Sequence, residues 1–115
     1  MAKAKTDEFT GDEFFLSDTA KALSHPARIK ILKILAEMDV CMCGEIVELL
    51  PLAQATVSQH LKELKRVGLI KGEIEGPKTC YCINTGAVKK AYEQIQKYFE
   101  TINKECIRSC KTQTK

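Results

Sequence analysis

Apolar residues recur every three or four positions through the first part of the chain, which is the spacing of amphipathic helices. The pattern predicts four helices, over residues 12–23, 24–38, 43–50 and 53–68. Pro26 suits the first turn of the second helix, with Ser24 or His25 as its cap, and Pro51 ends the third. Gly68 stands at the position that commonly stops a helix. The predicted core consists of Ile29, Leu32, Ile34 and Leu35 in the second helix and Val57, Leu61 and Leu64 in the fourth.

The period of the pattern changes after Gly68. Residues 69–84 contain two short extended runs around a turn-like Glu-Gly-Pro-Lys, and Cys80 and Cys82 alternate with their neighbours as residues do in a strand. Helical spacing then returns in a long last helix. Its apolar positions are Val88, Ala91, Tyr92, Ile95, Phe99, Ile102 and Cys106. So small a domain cannot cover this face alone, and we expect a partner surface on it.

The predicted order is therefore four helices, a two-stranded hairpin and a long helix, ααααββα. Two short helices joined by a tight turn and followed by a hairpin form a winged helix-turn-helix. We therefore predict a mainly α fold with a small antiparallel β-hairpin. Its expected parts are a flexible N-terminal arm (residues 1–11), one winged-helix domain (12–105) and a C-terminal tail (106–115).

Composition narrows the class of protein. The 115 residues suffice for one modest core, and without a membrane-spanning run or a secretory signal we expect a cytoplasmic protein that does not contact membranes. The net charge of +3 is unevenly distributed: residues 1–20 carry two Lys against five acids, whereas residues 54–78 carry five Lys or Arg against three Glu. Residues 89–115 carry seven basic residues against three acidic ones. This polarity is compatible with a nucleic-acid partner.

The six cysteines form three close pairs, Cys41 with Cys43, Cys80 with Cys82, and Cys106 with Cys110. In a reducing compartment such pairs more often bind metal or carry out redox chemistry than form disulfides. The first pair lies at the start of the third predicted helix, where a thiolate is favoured. A disulfide within that pair would strain a small ring, and a zinc ribbon would need two Cys-x-x-Cys knuckles. Metal binding, redox reactivity and simple burial remain as interpretations.

Four stretches together resemble the ArsR/SmtB family, namely ALSHPARIKILKIL, CMCGEIVELL, LAQATVSQHLKELKRVGLI and the wing ending CYCIN. The resemblance covers residues 15–100 or so, and its motifs are specific in combination. It implies a small homodimeric repressor, paired through its first and last helices, that metal or metalloid ions release from double-stranded operator DNA. It also implies a regulator rather than an enzyme, with an inducer ion and no organic cofactor.

Two departures from the family pattern have consequences. Ala53 and Ala55 stand at the start of the fourth helix, where many relatives have Ser. Alanine can neither cap a helix nor donate a hydrogen bond to DNA, so we expect those two contacts to be missing. Ile46 stands where the arsenic repressors have a third Cys. A three-thiolate site confined to the third helix is therefore not available.

The fourth helix is predicted to present its N-terminal half to the DNA major groove. The candidate DNA contacts on or beside its open face are Gln54, Thr56, Ser58, Gln59, His60, Lys62 and Lys65, with Lys71 and Lys78 on the hairpin. Gln, Ser and Thr recognise base edges, whereas lysines position the protein on phosphate. For His60 we expect packing or a phosphate contact rather than metal ligation. The alternative for the whole set is a solvated polar face.

The resemblance implies that Cys41 and Cys43 are thiolate ligands for As(III), Sb(III), Cd(II) or Pb(II). As(III) and Sb(III) bind three thiolates and Cd(II) often binds four, so the pair is only part of a site. Cys106 and Cys110, spaced i, i+4 on one helix face, are the expected completion, with burial in an interface as the alternative. For Cys80 and Cys82 we expect buried packing, with a second thiol site in the wing as the alternative.

Three hypotheses follow from these residues. In the first, As(III) or Sb(III), and otherwise Cd(II) or Pb(II), releases the repressor from its operator. In the second, the same repressor responds to thiol oxidation or persulfide formation instead of an ion. The third, remote hypothesis is a thiol enzyme, for which the sequence offers neither Cys-x-x-Cys spacing nor a catalytic triad.

Overall fold

The computed structural model describes residues 8–38, 45–75 and 78–110, with the side-chain surroundings of residues 8–38, 45–72 and 80–106. The elements of this part of the chain are α1 (Gly11–Ala22), α2 (Pro26–Met38), α3 (Glu45–Glu48), α4 (Gln54–Arg66), β1 (Ile70–Glu75), β2 (Lys78–Ile83) and α5 (Thr85–Cys110). The predicted order ααααββα and the antiparallel hairpin are confirmed. The predicted tail, residues 106–115, begins within α5.

Side chains close the starts of three helices. At α1, Thr10 Oγ1 accepts from Glu13 N over 3.1 Å while Glu13 Oε1 accepts from Thr10 N over 2.9 Å, a reciprocal capping box. At α2, His25 Nδ1 accepts from Ala27 N over 3.0 Å. Of the two predicted caps, Ser24 and His25, the cap is therefore His25. At α5, Asn84 Oδ1 accepts from the Ala87 amide over 3.3 Å. These contacts satisfy helix N–H groups that have no partner within the helix.

The end of α4 is a tight turn at Gly68, whose φ of 87° lies in the left-handed region that glycine adopts without strain. Gly68 N donates to Lys65 O over 3.0 Å, and Leu69 N donates to Leu64 O over 3.1 Å. This pair of bonds is the Schellman motif, and Leu64 and Leu69 are both buried beside it. The turn therefore joins α4 to the hairpin without a flexible linker.

One core joins the helices to the hairpin. Val57, Leu61 and Leu64 of α4 are buried in it, as predicted. In α2 the prediction is partly wrong, because Ile29 is 49% exposed and Ile31 is fully buried in its place. The α2 residues that share the core follow i, i+3, i+4 spacing, Ile31, Ile34 and Leu35.

The hairpin pairs β1 with β2 in antiparallel register, from Ile70 opposite Ile83 to Glu75 opposite Lys78. Asn84 N donates to Leu69 O over 3.0 Å and extends the ladder by one bond. β2 packs against α2, and Ile70 of β1 lies in the shared core. The wing is therefore fixed to the helical body. In the described part of the chain, no helix combines the length and apolar character needed to cross a membrane.

Candidate nucleic-acid interface and thiol sites

The two faces of α4 differ sharply in character. Val57 and Leu64 are completely buried, whereas Gln59 and Lys62 lie on the opposite side of the helix and are exposed. The other exposed candidates are Gln54, Thr56 and Lys65 on α4 and Lys71 on β1, while Ser58 is half-buried. The surroundings of the Lys78 side chain lie outside the description. The exposed face therefore has amides and hydroxyls for bases and ammonium groups for phosphate.

The N-terminal end of this face has no side-chain cap. Ala53 occupies the cap position with extended backbone, φ −65° and ψ 151°, and makes no side-chain hydrogen bond there. This agrees with the prediction that alanine at this position cannot cap. The first N–H groups of α4 are therefore left to other acceptors, and a helix N-terminus is a favourable place for a phosphate oxygen.

His60 differs from the sequence prediction. We expected it at the open face of α4 or its edge, but it is buried, with only 7% of its surface exposed. Position 60 follows Val57 by three residues and precedes Leu64 by four, so the helical period places it on the core side. The expectation of a packing role agrees with this position, whereas a direct DNA contact does not.

Arg28 holds His60 in place and connects three helices. Its Nε donates to His60 Nδ1 over 3.1 Å, and its Nη1 donates to the carbonyl oxygens of Lys21 and Ala22 over 3.1 and 3.4 Å. Those carbonyls close α1, Arg28 itself lies in α2, and His60 lies in α4. Arg28 lies in the stretch ALSHPARIKILKIL, whose His-Pro-x-Arg spacing is the sequence signal for this contact.

The protonation state of His60 follows from its neighbours. Burial, followed by the adjacent His25 and Arg28, lowers the pKa of His60 below its usual 6.5. The His25 ring lies 4.4 Å away, centroid to centroid. Because Nδ1 accepts from Arg28, the proton of neutral His60 resides on Nε2. Nε2 is buried and has no hydrogen-bond partner among the described residues.

Arg66 makes a second connection between α4 and α1, which the sequence pattern did not predict. Its Nη2 lies 3.0 Å from Asp18 Oδ1 and 2.7 Å from Glu63 Oε2. The hydrogen bond from Arg66 lowers the pKa of the Glu63 carboxyl, and the same bond together with Asp18 raises the pKa of Arg66. Arg66 and Asp18 are each about half exposed, so the pair that joins α4 to α1 contributes little to stability.

The cysteines whose side chains the structure describes lie in two elements, β2 and α5. Cys80 is buried, Cys82 is half-buried, and both are disulfide-bonded. Cys106 is exposed on the last turns of α5. Cys41 and Cys43 lie outside the described residues, as do the surroundings of the Cys110 side chain. Among the side chains that are described, no three His, Cys, Asp or Glu residues converge as a metal-ligand set. The ligand assignments therefore stay predictions.

An open apolar groove runs between α1 and α5. Its volume is about 800 Å³, and its apolar lining residues are Phe9, Phe14, Leu16, Ala20, Leu23, Ile95, Tyr98 and Phe99. Further along α5, Ile102 is 40% exposed, although Ala91 near the start of the helix is buried. The apolar face predicted for the last helix thus lies largely uncovered within one chain. An uncovered surface of this kind marks a site of association.

Comparison with known proteins places this geometry among transcriptional regulators. A family model described as a helix-turn-helix domain matches residues 23–73. The chain is 38% identical over 76 residues to an uncharacterised helix-turn-helix-type transcriptional regulator of Methanocaldococcus jannaschii, covering 65% of this chain and 84% of that protein. It is 31% identical over 93 residues to a cadmium resistance transcriptional regulatory protein, a CadC homologue, of Staphylococcus aureus, covering 80% and 76%.

Solved structures agree at the level of the fold. An ArsR-like transcriptional regulator from Rhodococcus sp. RHA1 superposes with a TM-score of 0.72 at 18% identity, covering 90% of this chain and 97% of that one. The likeness therefore extends over the helices, the hairpin and α5 together. These relatives are regulators rather than enzymes, which confirms the prediction that the chain is not an enzyme.

Proposed function

Because the chain belongs to the ArsR/SmtB family of winged helix-turn-helix transcriptional regulators, we propose that it is a homodimeric repressor that a thiophilic metal or metalloid ion releases from operator DNA. The observation that carries the DNA-binding part is the exposed polar face of α4, with Gln59 and Lys62 opposite the buried Val57 and Leu64. The hairpin follows α4 through one fixed turn and presents Lys71 on the same unit.

In this proposal α4 lies in the major groove and the wing follows the backbone beside it. Gln54, Thr56 and Gln59 contact base edges, since an amide pairs bidentately with adenine and a hydroxyl serves several bases. Lys62, Lys65 and Lys71 contact phosphate and fix the register of the helix. A two-fold dimer recognises two half-sites about 34–36 Å apart, one helical turn of DNA.

Fluorescence anisotropy tests this assignment. The labelled duplex is one that the reduced protein selects from a random pool. Gln59→Ala should relax the preference at one base pair, at a cost of about 1–3 kcal/mol on the selected sequence. Lys62→Ala should weaken binding to all sequences equally. It should also reduce the slope of log affinity against log salt concentration by about one. Lys30→Ala, an exposed lysine on α2, is the matched control. Unchanged binding by both α4 variants would exclude this face as the DNA contact.

For the dimer, a second copy occupies the α1–α5 groove. Phe99 is 58% exposed and Tyr98 is 47% exposed beside it, on a helix whose apolar face continues past the body of the domain. Pairing two such faces removes aromatic surface from water, at about 25 cal/mol for each Å² buried. It also relates the two α4 helices by a two-fold axis, as paired half-sites require.

The oligomeric state of two charge variants tests the groove. Phe99→Glu places a carboxylate in the apolar face and should convert the protein to monomer in light scattering, with loss of operator binding. Lys97→Glu introduces the same acid on the opposite, exposed side of α5 and should leave the dimer intact. A Phe99→Glu protein that remains dimeric would place the interface elsewhere.

For the inducer, Cys41 and Cys43 supply two thiolates, and As(III) or Sb(III), otherwise Cd(II) or Pb(II), are the ions they select. Additional thiolates complete the site, and Cys106 and Cys110 of a protomer are the donors first expected from the sequence. Ion binding favours a dimer geometry in which the two α4 helices no longer fit successive grooves. By linkage, operator DNA then weakens ion binding by the same factor.

Replacing the first thiol pair tests the inducer. Cys41→Ser with Cys43→Ser should leave operator affinity unchanged and abolish release by arsenite, antimonite, Cd(II) and Pb(II). The measurement follows anisotropy of the labelled duplex and thiolate absorption in the same titration. Normal release of the double variant by these ions would refute the ion-released repressor.

A thiol-redox or persulfide repressor is the second candidate, and the disulfide-bonded state of Cys80 and Cys82 favours it specifically. In this case a peroxide takes two electrons and two protons from each pair of thiols, and a reductant restores them. Release by peroxide in the presence of a chelator, reversed by a phosphine reductant, would support this candidate. Release by ions alone under reducing conditions would exclude it.

A further inference from the structure

The hydrogen bond between Arg28 and His60 requires one protonation state of the imidazole. A guanidinium has donors and no acceptor, so Arg28 Nε can only donate to His60 Nδ1, over 3.1 Å. Nδ1 accepts this bond only while it carries no proton. Protonated His60 would turn an N–H donor towards the Arg28 donor, in a residue that is only 7% exposed. The contact between α2 and α4 therefore exists only with neutral His60.

Positive charge around His60 comes from the helices that pack beside it. Arg28 lies in the first turn of α2 and His25 just before it, and the His25 ring is 4.4 Å from that of His60, centroid to centroid. Lys21 lies at the end of α1, where its carbonyl oxygen accepts from Arg28 Nη1. On β1, which also packs against α4, the charged side chain that the structure describes is Lys71, and it is exposed. A proton on His60 would thus add positive charge beside a guanidinium.

The carboxylates beside this cluster bind another cation. On α4, Glu63 Oε1 and Oε2 accept from Arg66 over 3.2 and 2.7 Å. Arg66 also donates to Asp18 of α1, over 3.0 Å. Within the described part of the chain, neither carboxylate is hydrogen-bonded to His60, and His60 Nε2 has no partner. Protonated His60 would therefore gain no carboxylate in exchange for the lost bond to Arg28.

Loss of this contact would release more than one bond. The same guanidinium donates to the carbonyl oxygens of Lys21 and Ala22, so its movement away from a protonated ring also releases the end of α1. α4 then keeps its apolar core but loses this polar link to α1 and α2. Gln59 directly precedes His60 and lies on the exposed face proposed to contact bases. Because hydrogen bonds depend strongly on angle and distance, a small change in the orientation of α4 weakens such a contact.

We propose that His60 is a positioning residue that, through Arg28, holds α4 in its DNA-binding orientation only while the imidazole is neutral, so that protons and operator DNA compete. This inference rests on the proposed DNA contact of α4 and does not depend on the inducer. By linkage, the factor by which the proton weakens operator binding equals the factor by which bound operator weakens proton binding. One proton limits the change in operator affinity to about tenfold for each pH unit.

The sign of the effect separates it from ordinary electrostatics. Protons added to histidines make a protein more positive, which strengthens its binding to the DNA polyanion. A histidine in contact with phosphate would behave in this way. His60 should act in the opposite direction, because its proton breaks a contact within the protein. Burial, followed by His25 and Arg28, lowers the pKa of His60, so the loss of operator affinity should begin below about pH 6.5.

Nuclear magnetic resonance of the unmodified protein tests the coupling directly. Isotope-labelled, metal-free, reduced protein is titrated from pH 7.5 to 5.0, both alone and saturated with the duplex that it selects from a random pool. The chain has two histidines, so few ring C–H resonances need to be assigned. The pKa of His60 should be lower in the complex than in the free protein. An equal or higher pKa in the complex would overturn the proposal.

Fluorescence anisotropy of two histidine variants tests the same coupling through operator affinity. His60→Asn offers an amide oxygen to Arg28 but does not titrate, so its affinity should lack the loss on acidification. His25→Asn is the matched control, since asparagine is also a favourable cap. It should keep the loss and move it to higher pH, because His25 contributes to the lowered pKa of His60.

The decisive quantity is the ratio of parent affinity to His60→Asn affinity. It should fall by up to about tenfold between pH 7.5 and one unit below the pKa measured for His60 in the free protein. A constant or rising ratio would refute the positioning role. Circular dichroism at each pH shows whether the proteins remain folded, and the resonances of the parent decide the matter if a variant does not fold.

These measurements also separate the inference from the proposed function. If the parent binds its selected duplex and the pKa of His60 does not decrease in the complex, the positioning role is refuted and the DNA-binding repressor stands. If the parent selects no duplex at pH 7.5, the proposed DNA contact of α4 fails, and this inference fails with it.

Discussion

Arg28 Nε donates a hydrogen bond to His60 Nδ1 over 3.1 Å, across 32 positions of sequence, and joins the start of α2 to α4, the proposed recognition helix. The same guanidinium donates to the last carbonyls of α1. One side chain thus connects α4 with α1, the helix that lines the α1–α5 groove. The orientation of the exposed polar face of α4 depends on this contact as well as on the apolar core.

Removing the guanidinium should destabilise the protein. Arg28→Ala leaves a buried imidazole acceptor and two helix carbonyls without their donor, at a cost of about 1–3 kcal/mol in the free energy of unfolding. Lys30→Ala, an exposed position of the same helix, should change it by less than about 0.5 kcal/mol. Urea denaturation measures both, and equal stabilities would show that the contact contributes nothing.

Acidification should weaken the fold through His60. Its pKa is lowered in the folded protein, so the unfolded chain binds this proton more readily. The stability that this group contributes is therefore complete above about pH 6.5 and is lost as the pH falls through 6.5 towards the folded pKa. One proton limits the loss to about 1.4 kcal/mol for each pH unit.

The variant His60→Asn separates this titration from the other acidic groups. Asparagine offers an amide oxygen near the position of Nδ1, but it does not titrate. We expect the parent to lose more stability than the variant between pH 7.5 and 5.5, as followed by urea denaturation. Parallel pH profiles for the two proteins would contradict the prediction, whatever their absolute stabilities.

Two glycine-to-alanine changes should act in opposite directions. Gly68→Ala places a side chain at a φ of 87° and should cost about 1–2 kcal/mol. Gly86→Ala lies in the first turn of α5, where a Cβ would meet only Asn84 Oδ1 at 3.8 Å, and should stabilise the fold by about 0.4–1 kcal/mol. Thermal melts of the two variants provide the comparison. A neutral Gly68→Ala would mean that the turn relaxes freely.

A serine at the start of the recognition helix should stabilise it. Ala53 has the extended backbone of a cap residue but no side-chain acceptor, so Ala53→Ser should add about 1 kcal/mol. Ala55→Ser, already inside the helix, should add nothing and serves as the control. Chemical denaturation distinguishes the two, and equal effects would show that capping is not the cause.

The order of elements followed from the sequence because each helix carries a regular apolar period and Gly68 marks the change to strands. The side of α2 that is buried did not follow, since Ile29, Ile31, Leu32, Ile34 and Leu35 are all apolar and only packing decides between them. His60 was misplaced for a related reason, because a polar residue on the core side requires its partner Arg28 to be recognised. That partner lies far away in sequence, where periodicity carries no information.

The Schellman turn between α4 and β1 couples the movement of the recognition helix to that of the wing. Only Val67, Gly68 and Leu69 separate the two elements, and two hydrogen bonds cross the turn. We therefore expect the helix and the wing to move together. A displacement of the wing therefore reaches the recognition helix within one chain. In the proposed dimer, both recognition helices must contact DNA, so the movement of one wing is enough for release. We therefore expect a graded response to inducer rather than a steep threshold.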